Sequence, residues 1–212
     1  AIEQLTRQYD GYRFTPEKGF TPMFNPFSVL NALAKSRFGD YWFASGTPTF
    51  LVEILKKTNF DLRELDGIEV SSASLSDDRA NISNPVPMIY QSGYLTIKSF
   101  DQRFRTYTLG FPNEEVKYGF LNFVAPFYTP VASTDTTFYI GKFVHELETG
   151  ETEAFLTRLS CFFADFPYEL NEKTERHYQV VFYLVFKLMG QFTQAEVRTA
   201  IGRADAVVKT AD

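Results

Sequence analysis

Four stretches of the chain carry apolar residues at helical spacing behind a capping side chain. Asn25-Pro26 sets a cap ahead of a proline at the first helical position. Phe27, Leu30, Leu33 and Ala34 follow, and this helix is expected to end before Phe38-Gly39. Thr47-Pro48 opens a second, with Phe50, Leu51, Ile54 and Leu55 on one face. It closes on Lys56-Lys57, which suits the negative end of a helix dipole. Asn84-Pro85 starts a third through Met88, Ile89 and Tyr90, stopped by Gly93, and Pro112-Asn113 a fourth carrying Val116, Phe120, Phe123 and Val124. Further helices are predicted at 136–147, 151–164 and 174–189. The last is apolar nearly all round (Val180, Val181, Phe182, Leu184, Val185, Phe186, Leu188), which predicts burial on most sides.

Between these helices the pattern shortens. Phe60 to Leu65 can hold one helical turn, Ile68 to Val70 a short strand and Ser72 to Asp78 a short helix. Tyr94 to Ile97 and Thr106 to Leu109 read as strands joined by a charged loop from Phe100 to Arg105. Helix, strand, charged loop, strand is the layout of a winged helix. The tail from Ala195 to Thr210 alternates around Gly202 and reads as a hairpin, whereas residues 1–25 read as turns and aromatics. The fold class expected is mainly α with small β elements (α+β). The stretch from Tyr128 to Asp135, with Pro130, is the expected boundary between domains at 1–130 and 131–212.

Composition narrows the function classes. Of the 212 residues, 44% are hydrophobic and 22% charged, the balance of a folded globular chain. Aromatics reach 17%, enough ring surface for a sizeable core. The longest apolar run, Val180 to Met189, is interrupted by Lys187 and is about half of a membrane span; the expected location is cytoplasmic. Cys161 is the only cysteine, so no disulfide forms within the chain and a four-cysteine zinc site is excluded; its setting, Leu-Ser-Cys-Phe-Phe, reads as a buried core thiol. A net charge of −5 argues against a uniformly basic nucleic-acid binder but leaves room for a local basic face.

Motifs for chemistry are sparse. No Gly-x4-Gly-Lys-Ser/Thr occurs, so this chain has no P-loop. His145 and His177 lack metal-ligand spacing and read as surface or capping residues, and Glu146, Glu148, Glu151 and Glu153 as a solvated connection between helices. One constellation remains. Glu175 opens the long buried helix, Glu196 lies on the next strand, and Asp205 follows Gly202-Arg203-Ala204 on the strand after that. One helix acid and two strand acids can hold a divalent cation such as Mg²⁺, which takes carboxylate oxygens and activates water.

Several phrases resemble a known family. Tyr9-Asp10-Gly11-Tyr12-Arg13-Phe14, the run from Asn25 to Leu33, Tyr41-Trp42-Phe43 through Leu51, Tyr90 through Ile97, and Leu109 through Val116 look like the C-terminal part of AAA-ATPase-like proteins of the Bacteroidetes and clostridial type. In that family a PD-(D/E)XK nuclease-like domain follows, and residues 136–212 resemble its first part, best over Glu196 to Val208. The resemblance implies a helical lid and winged-helix-like segment, then the helices and first strands of a truncated nuclease-like fold. It also implies Asp205 and Glu175 as metal ligands, Asp205 and Glu196 as catalytic acids, and Mg²⁺ or another divalent cation as cofactor. Gln179 stands where family members carry a histidine.

The chain ends before the family's Glu-x-Lys strand and lacks its P-loop segment. It is therefore expected to be a piece of a longer protein, inactive by itself, whose parent binds ATP and cleaves nucleic acid. The alternative is a winged-helix-like module that binds nucleic acid or protein without catalysis, with Lys98, Arg103 and Arg105 supplying wing charge. The third expected partner is a second copy of the chain, paired through an unpartnered C-terminal strand.

Overall fold

The computed structural model describes residues 2–16, 21–45, 49–58, 60–75, 84–129, 133–164, 175–190, 197–199 and 206–208. The chain divides into two compact units, residues 1–120 and 121–212.

The first unit opens on a helix, α1 (Ile2–Tyr9), where turns were expected. Ile2, Leu5 and Tyr9 recur at helical spacing, and Glu3 and Arg7 each sit at the end of the dipole that suits them. Helix α2 (Pro26–Lys35) starts where the capping pattern put it, with Asn25 Oδ1 accepting the Phe27 and Ser28 amides at 3.1 and 3.3 Å. Its orientation is unexpected. Ser28 and Ala32 face inward, while Phe27, Leu30 and Leu33 remain 48%, 67% and 64% exposed.

After α3 (Thr49–Lys57) come a single 3-10 turn at Leu62–Glu64, capped by Asp61, then β1 (Ile68–Ser71), α4 (Ser72–Leu75) and α5 (Val86–Gln91). Strands β2 (Thr96–Asp101) and β3 (Thr106–Gly110) complete an antiparallel sheet of order β1-β3-β2. The expected loop from Phe100 is shorter than the charge pattern suggested. Phe100 stays in the ladder opposite Tyr107, their rings 4.7 Å apart. Asp101 ends the strand by accepting the Arg103 and Phe104 amides through Oδ1, at 2.7 and 3.0 Å.

Helix α6 (Glu114–Tyr128) begins after Asn113, whose Oδ1 accepts the Val116 amide at 3.1 Å. The aromatic core of this unit joins Trp42, Phe43, Tyr94, Phe111 and Phe120, with centroid spacings of 5.2 to 6.3 Å. Glu115, in the first turn of α6, is fully buried. It accepts Ser28 Oγ at 3.0 Å and the Trp42 amide at 2.8 Å through the same oxygen. Burial pushes its carboxyl above the ordinary value; the two donors draw it back and nearby Asp40 adds to the rise. Beside it, Gly11 adopts φ +117°, and a Cβ there would stand 2.1 Å from the Pro112 carbonyl oxygen. Only glycine fits both that conformation and that approach.

The second unit packs α7 (Ser133–Glu148) against α8 (Thr152–Ala164) and α9 (Glu175–Met189), with α9 also meeting β4 (Val197–Thr199). Strand β5 (Ala206–Val208) pairs antiparallel with β4, as the alternation of the tail predicts; the rest of the stretch from Ala195 to Thr210 lies outside the described residues. Phe143 sits between Phe155 and Phe162, at 5.7 and 5.9 Å, and α9 is buried along Val180, Val181, Leu184, Val185 and Leu188. Two expectations fail here. Cys161 is exposed, because α8 turns Phe162 inward in its place. Glu146 is buried rather than solvated, since Arg158 Nε reaches its Oε1 at 2.6 Å.

Three outcomes follow from this packing. Gly11→Ala should cost about 2–5 kcal/mol in urea unfolding, combining overlap with backbone strain; a loss below about 1 kcal/mol would mean that the loop yields. Glu115 binds its proton more tightly when folded, so its contribution to stability is greatest in acid and shrinks as pH rises through the raised value. The wild-type urea midpoint should therefore fall relative to that of Glu115→Gln as pH rises from 4 to 8, and a constant difference would contradict this. Cys161 should react fully with a thiol reagent in native buffer, without denaturant.

Candidate functional site

The expected metal acids come from the helix and hairpin of the second unit. Glu175 occupies the first turn of α9, exposed, and accepts a hydrogen bond from Gln179 Nε2 at 3.1 Å. Acceptor and donor are one helical turn apart, so the amide at position 179 steadies the carboxylate while remaining neutral at every pH. The rest of the helix is anchored by its apolar residues, which fixes where Glu175 can stand. Glu196 and Asp205 lie outside the described residues, as does Arg203. Each acid immediately precedes a described strand. Because the ladder pairs Val197 with Val208 and Thr199 with Ala206, β4 and β5 begin at its opposite ends. Among the described residues no group of three or more His, Cys, Asp or Glu side chains is placed to hold a metal ion. The donor chemistry of the three acids, all carboxylate, is that of a hard divalent cation.

The cations expected on the wing do not form one patch. Arg103 and Arg105 are both exposed in the turn between β2 and β3. The Arg103 guanidinium lies over the Phe104 ring at 5.0 Å, and Arg105 takes a left-handed φ of +53° while its carbonyl accepts the Ser72 amide and hydroxyl. Lys98 stands at the other end of the hairpin. Its stem covers Gly110, where a Cβ would meet Lys98 Cε at 3.2 Å, and its Nζ is 3.5 Å from the Pro112 carbonyl. Three strand residues, about 10 Å, separate it from the turn. Burial of its stem lowers the Lys98 amine from its ordinary value; Asp66 opposes that, and Arg13 and Lys117 reinforce it.

Arg13 and Lys117 were missed as partners of Lys98. Arg13 lies within an aromatic phrase 85 positions upstream, and Lys117 sits on a helix that reads as core. Only the hydrogen bonds between Arg13 and Thr96 reveal the meeting: the Arg13 amide donates to Thr96 Oγ1 at 2.6 Å, which donates back to the Arg13 carbonyl at 2.8 Å. The helix ahead of the hairpin, α5, buries Val86 and Ile89 and carries no lysine or arginine. In the second unit an open cleft between α7 and α8 is lined by Tyr139, Glu153, Thr157, Arg158 and Cys161. Among the described residues no helix is long and apolar enough to cross a membrane.

Comparison with known proteins bears on the two units differently. An uncharacterized protein in the vnfD 5' region of Azotobacter chroococcum mcd 1 is 29% identical over 214 residues. The match takes in 97% of this chain, which spans about 40% of that relative's length. No solved structure matches. Residues 173–212, the stretch that holds α9, β4 and β5, match the family model of the PD-(D/E)XK nuclease superfamily.

Proposed function

We propose that residues 173–212 open the metal-dependent nuclease domain of a longer protein, and that residues 1–130 are the helical and winged-helix-like end of an AAA-ATPase-like domain before it. The observation that carries the reading is the family match over one helix and one hairpin, with Glu175 in the first turn of that helix. The relative's greater length supports the view that such a chain works as part of a larger protein.

Asp205 and Glu175 would hold a divalent cation such as Mg²⁺, and Glu196 would serve as a further catalytic acid. The cation, when bound, supplies a polarised water and charge neutralisation for phosphodiester cleavage. Glu175 is kept in place by Gln179, so its carboxylate is oriented before any ligand arrives. Arg103 and Arg105, exposed in the hairpin turn, are free to meet a nucleic-acid strand. ATP binding would belong to the parent, since this chain has no P-loop.

The test is cleavage of DNA and RNA by the full-length parent with Mg²⁺, Mn²⁺ or EDTA. Asp205→Ala should lower cleavage at least about 100-fold, as for removal of a principal charge-stabilising group, and EDTA should abolish it. Glu175→Gln should weaken cleavage in a way that added metal partly restores. Equal cleavage by wild type and Asp205→Ala would reject the assignment.

A further inference from the structure

Three cations from separate parts of the first unit are fastened together by backbone geometry. Arg13 is held on β2 by its two hydrogen bonds with Thr96 and by the Ile97 amide, which donates to the Arg13 carbonyl at 3.4 Å. Lys98 is the next residue on that strand, and its Nζ reaches toward the carbonyl of Pro112. Pro112 leads into α6, where Lys117 lies in the first turn, its amide bonded to the Asn113 carbonyl at 3.1 Å. Gly11 closes the ring of contacts by lying directly on the Pro112 carbonyl. Strand, loop and helix start therefore gather the backbones of Arg13, Lys98 and Lys117 into one neighbourhood.

Lys98 feels Arg13 and Lys117 as like charges and, among the described residues, Asp66 as an attractive neighbour, while Glu114 and Glu115 share the first turn of α6 with Lys117. None of the three cations makes a salt bridge among the described residues. The Arg13 Nε is closed off from water and has no hydrogen-bond partner. A donor that has lost water without gaining an acceptor is costly, and grouping it with two ammonium ions adds repulsion. An anion with several oxygens offsets that repulsion. A guanidinium edge and two ammonium groups, Lys98 Nζ near the Pro112 carbonyl and Lys117 Nζ 5.5 Å over the Tyr118 ring, suit a phosphate, which offers more oxygens and more charge than a carboxylate.

We propose that Arg13, Lys98 and Lys117 form a phosphate-binding site in residues 1–120, with Asp66 as the acid that offsets part of their charge. Arg13 gives the site its fixed edge, and the two lysines close on the anion from β2 and α6. None of these residues lies in the stretch matched by the nuclease model, so the site stands or falls apart from cleavage. The phosphate belongs to a polynucleotide backbone or to a free nucleotide, and the chemistry of recognition is the same for both.

The experiment uses the whole 212-residue chain in EDTA, so that metal plays no part. Binding of a labelled 20-nucleotide single strand, the matching duplex and ADP is measured from about 20 to 200 mM salt, with inorganic phosphate as competitor. Wild type should bind at least one of these at low salt, and phosphate should displace it. For an oligonucleotide, three contacts give a log–log salt slope of about −2 to −3. Arg13→Gln and Lys117→Gln should each weaken binding about tenfold and reduce that slope by about 1. Asp66→Asn should tighten it about two- to threefold, a gain that a misfolded variant would not show. Binding of an oligonucleotide that Arg13→Gln or Lys117→Gln weakens upholds the site with a polynucleotide as the source; binding of ADP alone that either variant weakens upholds it with a nucleotide. No binding of any probe at low salt, or unchanged affinity in both Arg13→Gln and Lys117→Gln, overturns it.

Discussion

A carboxylate that water does not reach organises the first unit. Glu115 lies in the first turn of α6, yet its contacts are on α2 and on the loop before the 3-10 turn at Phe43–Ser45. An ionisable group so placed is destabilising unless its oxygens are occupied. Ser28 and the Trp42 amide occupy one of them. That requirement decides how α2 can rotate. Turning the helix to bury Phe27, Leu30 and Leu33 would carry Ser28 away and strip Glu115 of a donor. The polar contact prevails over the apolar stripe, and Trp42 is drawn to the place where it meets Tyr94 at 5.2 Å.

Local signals were legible in the sequence because they act over a few residues. Asn25 and Asn113 cap helices, and Asn84 Oδ1 accepts the Val86 amide at 3.1 Å. The all-round apolar pattern of α9 announced its burial, and the alternation around Gly202 announced the β4–β5 pairing. Features set by distant partners were not legible. The outward face of α2 depends on Glu115, 87 positions away from Ser28. The burial of Glu146 depends on Arg158, and the exposure of Cys161 on which neighbour fills the space beside Phe143. Helix α1 was hidden by weak hydrophobicity: of its residues only Tyr9 is buried, its hydroxyl bonded to the amide and carbonyl of Gly39.

The same division runs through the candidate sites. Glu175 could be placed from sequence, since a helix start and an apolar helix behind it suffice. The grouping of Lys98 with Arg103 and Arg105 rested on their closeness in sequence, and a strand separates what a loop would have gathered. The register irregularity in β2 between Ile97 and Ser99 falls at Lys98, and a bulge of this kind re-aims a side chain. The stretch from Tyr9 to Phe14 also takes on separate tasks. Tyr9 and Tyr12 bond to Gly39 and Gly93, Gly11 allows the close approach to Pro112, and Arg13 adds a positive charge.

The outward apolar face of α2 governs how this polypeptide behaves in a tube. Three large hydrocarbon side chains on successive turns of one rigid helix form a strip that water wets at a cost. Their cost is borne by the surface, not by the core, so heating the protein and concentrating it probe different weaknesses. Warming acts on the packed rings around Phe120. Concentration acts on the strip, and light scattering should climb with protein concentration well below the melting temperature, more steeply in sulfate, which strengthens apolar association, than in chloride.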